Sequence, residues 1–217
     1  MDNPVDAYWN IRLDACRKAL ENNNFTARVV QTAQEARQLI LDEFLPGANA
    51  KTVSWGGSQS LAQSGVIKAI KASGNYEVID TTDKSVPREE TMERRRQALL
   101  VDCFLTGTNA VTDTGWLVNL DMIGNRVCGL NFGPRCAIVL VGRNKLVGDL
   151  DEAMIRIKTY AAPANAMRLD KKTPCALTGA CMDCNSPDRI CNVWTITERS
   201  FPAKRIAVAL VNQDLGL

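Results

Sequence analysis

A chain of 217 residues can bury one substantial core, and a formal net charge of only +2 gives no surplus for a nucleic-acid or membrane-surface binder. No apolar run reaches membrane-spanning length, and the opening Met-Asp-Asn-Pro-Val-Asp lacks the regions of a secretory signal, so the expectation is a cytoplasmic protein with reduced thiols. The sequence contains no histidine, which excludes Ser-His-Asp and Cys-His catalysis and histidine-ligated metal, leaving proton transfer to carboxylates, Lys, Tyr, Cys or water.

From Val5 to Leu20 the apolar residues Tyr8, Trp9, Leu13, Cys16, Ala19 and Leu20 recur near helical spacing, and Asn22-Asn23-Asn24 ends that helix. Phe25 to Val30 reads as a strand. Thr32 with Glu35 forms a capping box for a helix to about Phe44, closed by Pro46-Gly47. Thr52 to Trp55 reads as a buried strand that feeds a helix through Leu61, Val66, Ile67 and Ile70, stopped by Gly74. Tyr76 to Ile79 is a strand. Pro87 starts a helix to near Leu100, whose Arg94-Arg95-Arg96 run beside Glu89, Glu90 and Glu93 reads as a solvated face. Val101 to Leu105 is a strand followed by the polar turn Thr106-Gly107-Thr108-Asn109. This alternation predicts an α/β fold with a mostly parallel sheet and helices on both faces.

The pattern then changes. Gly115 to Leu120 and Arg126 to Leu130 read as two strands of a small antiparallel subdomain. Cys136 to Val141 predicts a central strand, Asp149 caps a helix to about Tyr160, and Val193 to Thr197 and Arg205 to Val211 read as closing strands. Cys16, Cys103, Cys128 and Cys136 lie in apolar, periodic surroundings and read as core thiols. The whole of 1–217 reads as one domain, with 173–193 as a cysteine-rich metal-binding segment within it.

That segment is the sharpest chemical signal. Cys175, Cys181, Cys184 and Cys191 supply the four thiolates of a [4Fe–4S] cluster or a tetrahedral zinc. Only Cys181 and Cys184 form a C-x-x-C pair, so the irregular remaining gaps favour a [4Fe–4S] cluster over zinc, with zinc as the alternative and free redox thiols the third reading. Two loops offer a binding site. Ser54-Trp55-Gly56-Gly57-Ser58 lies where a strand feeds a helix, so its backbone amides could receive an anion; it reads equally as a tight turn capped by Ser58. Thr106 to Gly115 follows the next strand, and in an open parallel sheet both loops would share the ligand-binding edge. Its one carboxylate, Asp113, and nearby Asp121 are the candidate catalytic acids and bases. Arg126 reads as a bidentate partner for a substrate anion or, on the plainer view, as half of a surface salt bridge.

Taken together, Ser54-Trp55-Gly56-Gly57-Ser58, Thr108-Asn109-Ala110, Gly115 to Asp121, Gly124-Asn125-Arg126-Val127, Phe132-Gly133-Pro134, Val141 to Lys145 and Ala162-Pro163-Ala164-Asn165-Ala166 resemble the LUD domain, the lactate-utilisation protein family. The cysteine segment through Ser186 to Asn192 is similar to a subgroup of short LUD proteins. The resemblance implies a fold like ribose-phosphate isomerase and the CoA transferases, a ligand cleft at the strand ends, and a role in lactate oxidation beside iron–sulfur protein partners. It implies that Gly56-Gly57-Ser58 and Thr108-Asn109 line the cleft and that Asn165 and Arg168 line or fasten the same region. The chain departs from the larger LUD subunits in lacking their ferredoxin-type cysteine run, and no Glu stands in either loop to match the CoA-transferase nucleophile.

Three functions follow as expectations. The first is an iron–sulfur redox component in oxidation of a lactate-like acid. The second is a cluster-free isomerase or transferase acting on an anionic small molecule, with structural zinc and Asp113 or Asp121 as base. The third is a non-catalytic assembly subunit. The expected partners are a small anion and iron–sulfur proteins, with a homo-oligomer left open and neither nucleic acid nor a membrane span expected.

Overall fold

In the computed structural model, which describes residues 4–217, ten strands assemble into two sheets. They are β1 (Thr26–Val30), β2 (Thr52–Trp55), β3 (Glu77–Ile79), β4 (Cys103–Gly107), β5 (Ala110–Thr112), β6 (Leu117–Asp121), β7 (Cys136–Gly142), β8 (Leu146–Val147), β9 (Val193–Thr197) and β10 (Ile206–Val211). Six form a fully parallel sheet in the order β1-β10-β7-β4-β2-β3. Four form a smaller sheet in the order β8-β5-β6-β9, antiparallel except where β5 meets β8. The helices are α1 (Pro4–Asn22), α2 (Ala33–Leu39), α3 (Leu45–Gly47), α4 (Gln59–Ser64), α5 (Val66–Ser73), α6 (Arg88–Gln97), α7 (Asn125–Asn131), α8 (Leu150–Arg156), α9 (Ala162–Arg168) and α10 (Pro174–Thr178).

The inner strands are continuously apolar because both their faces are covered. Alternate residues go to opposite layers. Ile138 and Leu140 of β7 with Ala207, Ala209 and Val211 of β10 pack against α2, α4 and α5 through Ala36, Leu61, Val66 and Ile70. Ala137, Val139 and Val141 with Ile206, Val208 and Leu210 face the other way, onto Leu13, Cys16 and Leu20 of α1. A third core joins Ala110, Val118 and Leu120 of the smaller sheet to Ala153 of α8 and Ile157 just beyond it.

Four expectations need correction. Arg126 to Leu130 is helix α7, not a strand: Val127 and Leu130, three apart, are buried together, a spacing that places side chains on one helical face. Cys128 on that helix is exposed and so is not a core thiol, and Cys136 is only half-buried. The segment after Gln59 is two helices, because Gly65 adopts a left-handed conformation between them. The strand from Ile206 is interior to the main sheet, between β1 and β7.

The helix capped by Asp149 also runs beyond Tyr160. Pro163 has no N–H to donate, and in a regular helix its ring meets the carbonyl four residues back. A π turn over Ile157–Ala161, with the Ala162 N–H bonded to the Ile157 carbonyl, widens the coil just before it and lets the chain continue as α9 to Arg168. The same device stands at Ile40–Phe44, ahead of Pro46.

Gly115 fixes how α1 meets the smaller sheet. Its φ is +78°, and a Cβ there would lie 2.7 Å from the Leu20 nitrogen and 2.8 Å from the Ala19 carbonyl carbon, both backbone atoms that cannot rotate away. Gly115→Ala is therefore expected to lower stability by about 2 kcal/mol or more, read as a lower urea midpoint at unchanged slope.

Candidate functional site: a basic cleft beside a ring of cysteines

The carboxyl ends of β2, β3, β4 and β7 open onto one cleft of about 260 Å³. The loop after β2 brings Gly57, Ser58 and Gln59, the loop after β3 brings Thr81 and Thr82, the end of β4 brings Thr108 and Asn109, and Lys145 follows β7. The facing wall comes from Leu120 to Ile123, from Asn125 and Arg126, and from Ile157, Ala161, Asn165 and Arg168. Strand carboxyl ends are the ligand-binding edge of an open parallel sheet. Arg95 joins Arg126, Lys145 and Arg168 as lining cations, against the single lining carboxylate side chain of Asp121.

Arg126 is neither a surface ion pair nor free for a bidentate substrate contact. It is 8% exposed. Its Nη1 donates to Asn119 Oδ1 (2.6 Å) and the Gly107 carbonyl (3.0 Å), and its Nη2 to Asn109 Oδ1 (2.9 Å) and the Leu120 carbonyl (3.4 Å). Its Nε lies 3.4 Å from Asp121 Oδ1. All five N–H donors are thus directed at protein oxygens. Burial lowers its pKa, and Asp121 pulls in the opposite sense. Gly56 is small for the sake of this side chain: a Cβ there would lie 2.8 Å from Arg126 Cγ. Asn119 Nδ2 and Asp121 Oδ2 are buried without a hydrogen-bond partner. Replacing Arg126 by Met strands the oxygens it satisfies, and a loss of about 3–5 kcal/mol in denaturant unfolding is expected.

Lys145 is the cleft residue that sequence reasoning passed over. It is 5% exposed, and its Nζ donates to Ser60 Oγ (3.0 Å) and the Thr108 carbonyl (3.1 Å). Burial, followed by repulsion from Arg156 and Arg126, lowers its pKa to about 7 from 10.5. Between those values the unfolded chain holds a proton that the folded chain does not, so stability rises with pH. The stability of wild type relative to Lys145→Met should climb between pH 7 and 10 by up to about 1.4 kcal/mol per unit. A difference that stays flat in denaturant melts across that range would contradict it.

The other expected site residues divide. Gly57, Ser58, Thr108, Asn109, Asp121 and Asn165 stand in the cleft wall with Arg126. Ser58 caps α4 through the Leu61 N–H, and Thr108 spends its hydroxyl on the carbonyls of Ala110 and Val118. Asn165 Oδ1 accepts from Arg168 Nε and Nη2, so the pair lines the rim as a unit. Ser54 lies inside the sheet, its hydroxyl donated to the Ile79 carbonyl (2.7 Å). Asp113 is outside the cleft, where both its oxygens accept from Arg12 Nη2 of α1 at 2.7 Å. That ion pair ties α1 to the smaller sheet and leaves Asp121 as the carboxylate at the cleft.

All four C-terminal cysteines line one small cavity of about 20 Å³, together with Lys158, Arg189 and Ile190. Among the described residues no group of three or more Cys, Asp or Glu meets the geometry for holding a metal ion. The loop is shaped by its basic and polar residues. Arg189 donates through Nη1 to the Cys184 carbonyl and through Nε to the Cys191 carbonyl (2.9 Å). Lys158 Nζ and Arg189 Nη2 both reach Asp183 Oδ1, at 2.7 and 3.0 Å. The Asp183 N–H is directed at Cys181 Sγ (3.5 Å), and the Thr173 hydroxyl lies 3.3 Å from Cys175 Sγ. Burial raises the Cys191 pKa, with Lys158 pulling against it. Two contacts join this loop to the cleft: Ile190 lines both cavities, and Asn192 bonds the Asp121 carbonyl through its N–H and the Met122 carbonyl through Nδ2, each at 3.0 Å.

A parallel sheet with a basic cleft at its strand ends defines an open α/β protein. Residues 13–211 match the family model of the LUD domain, and the chain belongs to the LUD-domain family. Its fold is similar to that in the crystal structure of a DUF162 family protein from Deinococcus radiodurans, with a TM-score of 0.51 at 14% identity, covering 94% of this chain and 98% of that one. No curated protein matches the sequence. Among the described residues no helix is long and apolar enough to cross a membrane.

Proposed function

We propose that this protein is an iron–sulfur component in the oxidation of a small organic acid of the lactate kind, working in the cytoplasm, where thiols stay reduced. The cleft takes the acid's anion, and Cys175, Cys181, Cys184 and Cys191 hold a [4Fe–4S] cluster beside it. The observation that carries this reading is the shared wall: Ile190 belongs to both cavities, and Asn192, next to Cys191, is pinned to the backbone of Asp121 and Met122.

The chemistry of the donors, four thiols on one loop, is that of such a group, although they are not drawn together into a ligand set here. Four cysteines line one cavity, an N–H is directed at Cys181 Sγ, and Lys158 and Arg189 set positive charge beside them. Hydrogen bonds to sulfur and nearby charge are the protein's means of tuning a cluster's potential. A cluster held by four thiolates supplies one-electron transfer and leaves no iron open to substrate. The chain's own residues then bind and orient the acid: the cationic side chains of the cleft favour its anion, and Asp121 is the carboxylate side chain beside it. Electrons would pass to an iron–sulfur partner subunit.

Anaerobic purification with iron and sulfide analysis tests the reading. About four irons and four sulfides per chain are expected, with a broad absorption near ~400 nm that Cys181→Ser removes. A colourless protein carrying one tight zinc would refute it and make the segment a structural clip.

A further inference from the structure

We propose that Lys145 is the anion receptor of the cleft and that it takes up a proton when the ligand's acid group binds. The inference rests on the reading that the cleft receives a small acid, and it adds which residue holds the acid group and how binding responds to pH.

The cleft's two buried cations have opposite fates. Arg126 has every donor committed to protein oxygens, so it can lend charge but no further hydrogen bond. Lys145 has two contacts, Ser60 Oγ and the Thr108 carbonyl, both uncharged. An ammonium carries three donors, so one is left without a protein acceptor on a residue that lines the cleft. Among the described residues the partners of Lys145 Nζ are both neutral and the charges acting on it are both positive, although a buried ammonium ordinarily has a carboxylate partner. The charged groups facing it are Arg126 from α7 and Arg156 from α8, both repulsive. Arg156 is itself held in place by the carbonyls of Asn144 and Asn109, at 2.9 and 2.7 Å. Asp121 lines the same cleft but is paired with Arg126, so among the described residues Nζ itself has no counter-charge within ion-pair distance, a gap that one anionic group would fill.

The proton follows from the same arrangement. Burial and the two arginines hold the Lys145 pKa at about 7 in the ligand-free protein. An anion against Nζ opposes both effects and restores the charged form. At pH 8 the free amine is mostly neutral and the bound one charged, so binding consumes a proton. At pH 6 the amine is already charged and little is consumed. Apparent affinity should fall about tenfold per pH unit above 7 until the bound amine titrates.

Calorimetric titration of the full chain with L-lactate, and in parallel with inorganic phosphate, in two pH 8 buffers of different ionisation enthalpy tests this. Uptake approaching one proton per chain at pH 8, and close to none at pH 6, is expected for lactate. Lys145→Met, checked for folding by circular dichroism, should lose at least about tenfold in affinity. If that variant unfolds, the proton uptake of wild type decides alone. Lactate bound equally by both proteins without proton uptake would overturn the role of Lys145 and leave the acid-binding reading intact. Phosphate bound with a proton uptake that Lys145→Met abolishes, while lactate is not bound, would support the receptor and overturn the lactate-like substrate; uptake that persists in the variant belongs to the phosphate itself and would overturn the role of Lys145. No binding of either anion would overturn both.

Discussion

A buried guanidinium must be met by oxygens on every side, and the arrangement around Arg126 meets that demand with groups from both sheets. The Gly107 carbonyl ends a strand of the main sheet; Asn119 and the Leu120 carbonyl belong to the smaller one; Asn109 lies on the link between them. A planar fork with five fixed donors tolerates little displacement of its acceptors. The angle between the sheets, the path of the loop after β4 and the start of α7 are therefore set together. The two asparagines are cross-braced as well: Asn109 N–H donates to Asn119 Oδ1, and the Leu120 N–H to Asn109 Oδ1. Polar density in this loop serves the scaffold first and shapes the cleft as a consequence.

This explains what could be read from the sequence. Strand-to-helix alternation, together with the rule that ligands sit at strand carboxyl ends, places Gly57, Ser58, Thr108 and Asn109 on one edge, and the structure brings them there. That inference needs only strand order, which apolar runs reveal. Arg126 to Leu130 misleads because five residues are too few to separate a period of 2 from one of 3.6. Asp113 looks like a loop carboxylate free for chemistry, and only the tertiary fold brings Arg12 to it. Lys145 was open to the same strand-end rule, since it follows the apolar run of β7. As a lone lysine after a strand it looks like surface charge, and its burial depends on the far end of the chain. The backbone at Gly216 lies so close that an added Cβ would be 3.2 Å from Nζ, while Leu215 N–H is held by Asn144 Oδ1.

The cysteine segment shows a different kind of organisation. It has almost no regular structure beyond the single turn of α10, and side chains of Arg189, Lys158 and Asp183 do the work that a helix or sheet ladder does elsewhere. Such a loop can surround a compact group because its backbone is not committed to a ladder. Its attachment to the Asp121–Met122 turn fixes where that group would stand relative to the cleft.

The π turn at Ile157–Ala161 carries a constraint on how this chain can vary over evolution. Each residue in a helix rotates everything beyond it by about 100°. The extra residue in that turn is what sets the azimuth at which Asn165 and Arg168 meet the cleft rim. Deleting one residue there, or replacing Pro163 and letting the coil tighten, would swing both away from the opening while leaving the helix itself intact. Insertions and deletions should therefore be tolerated in exposed connections such as Gly74-Asn75 between α5 and β3, and rare between Leu150 and Arg168.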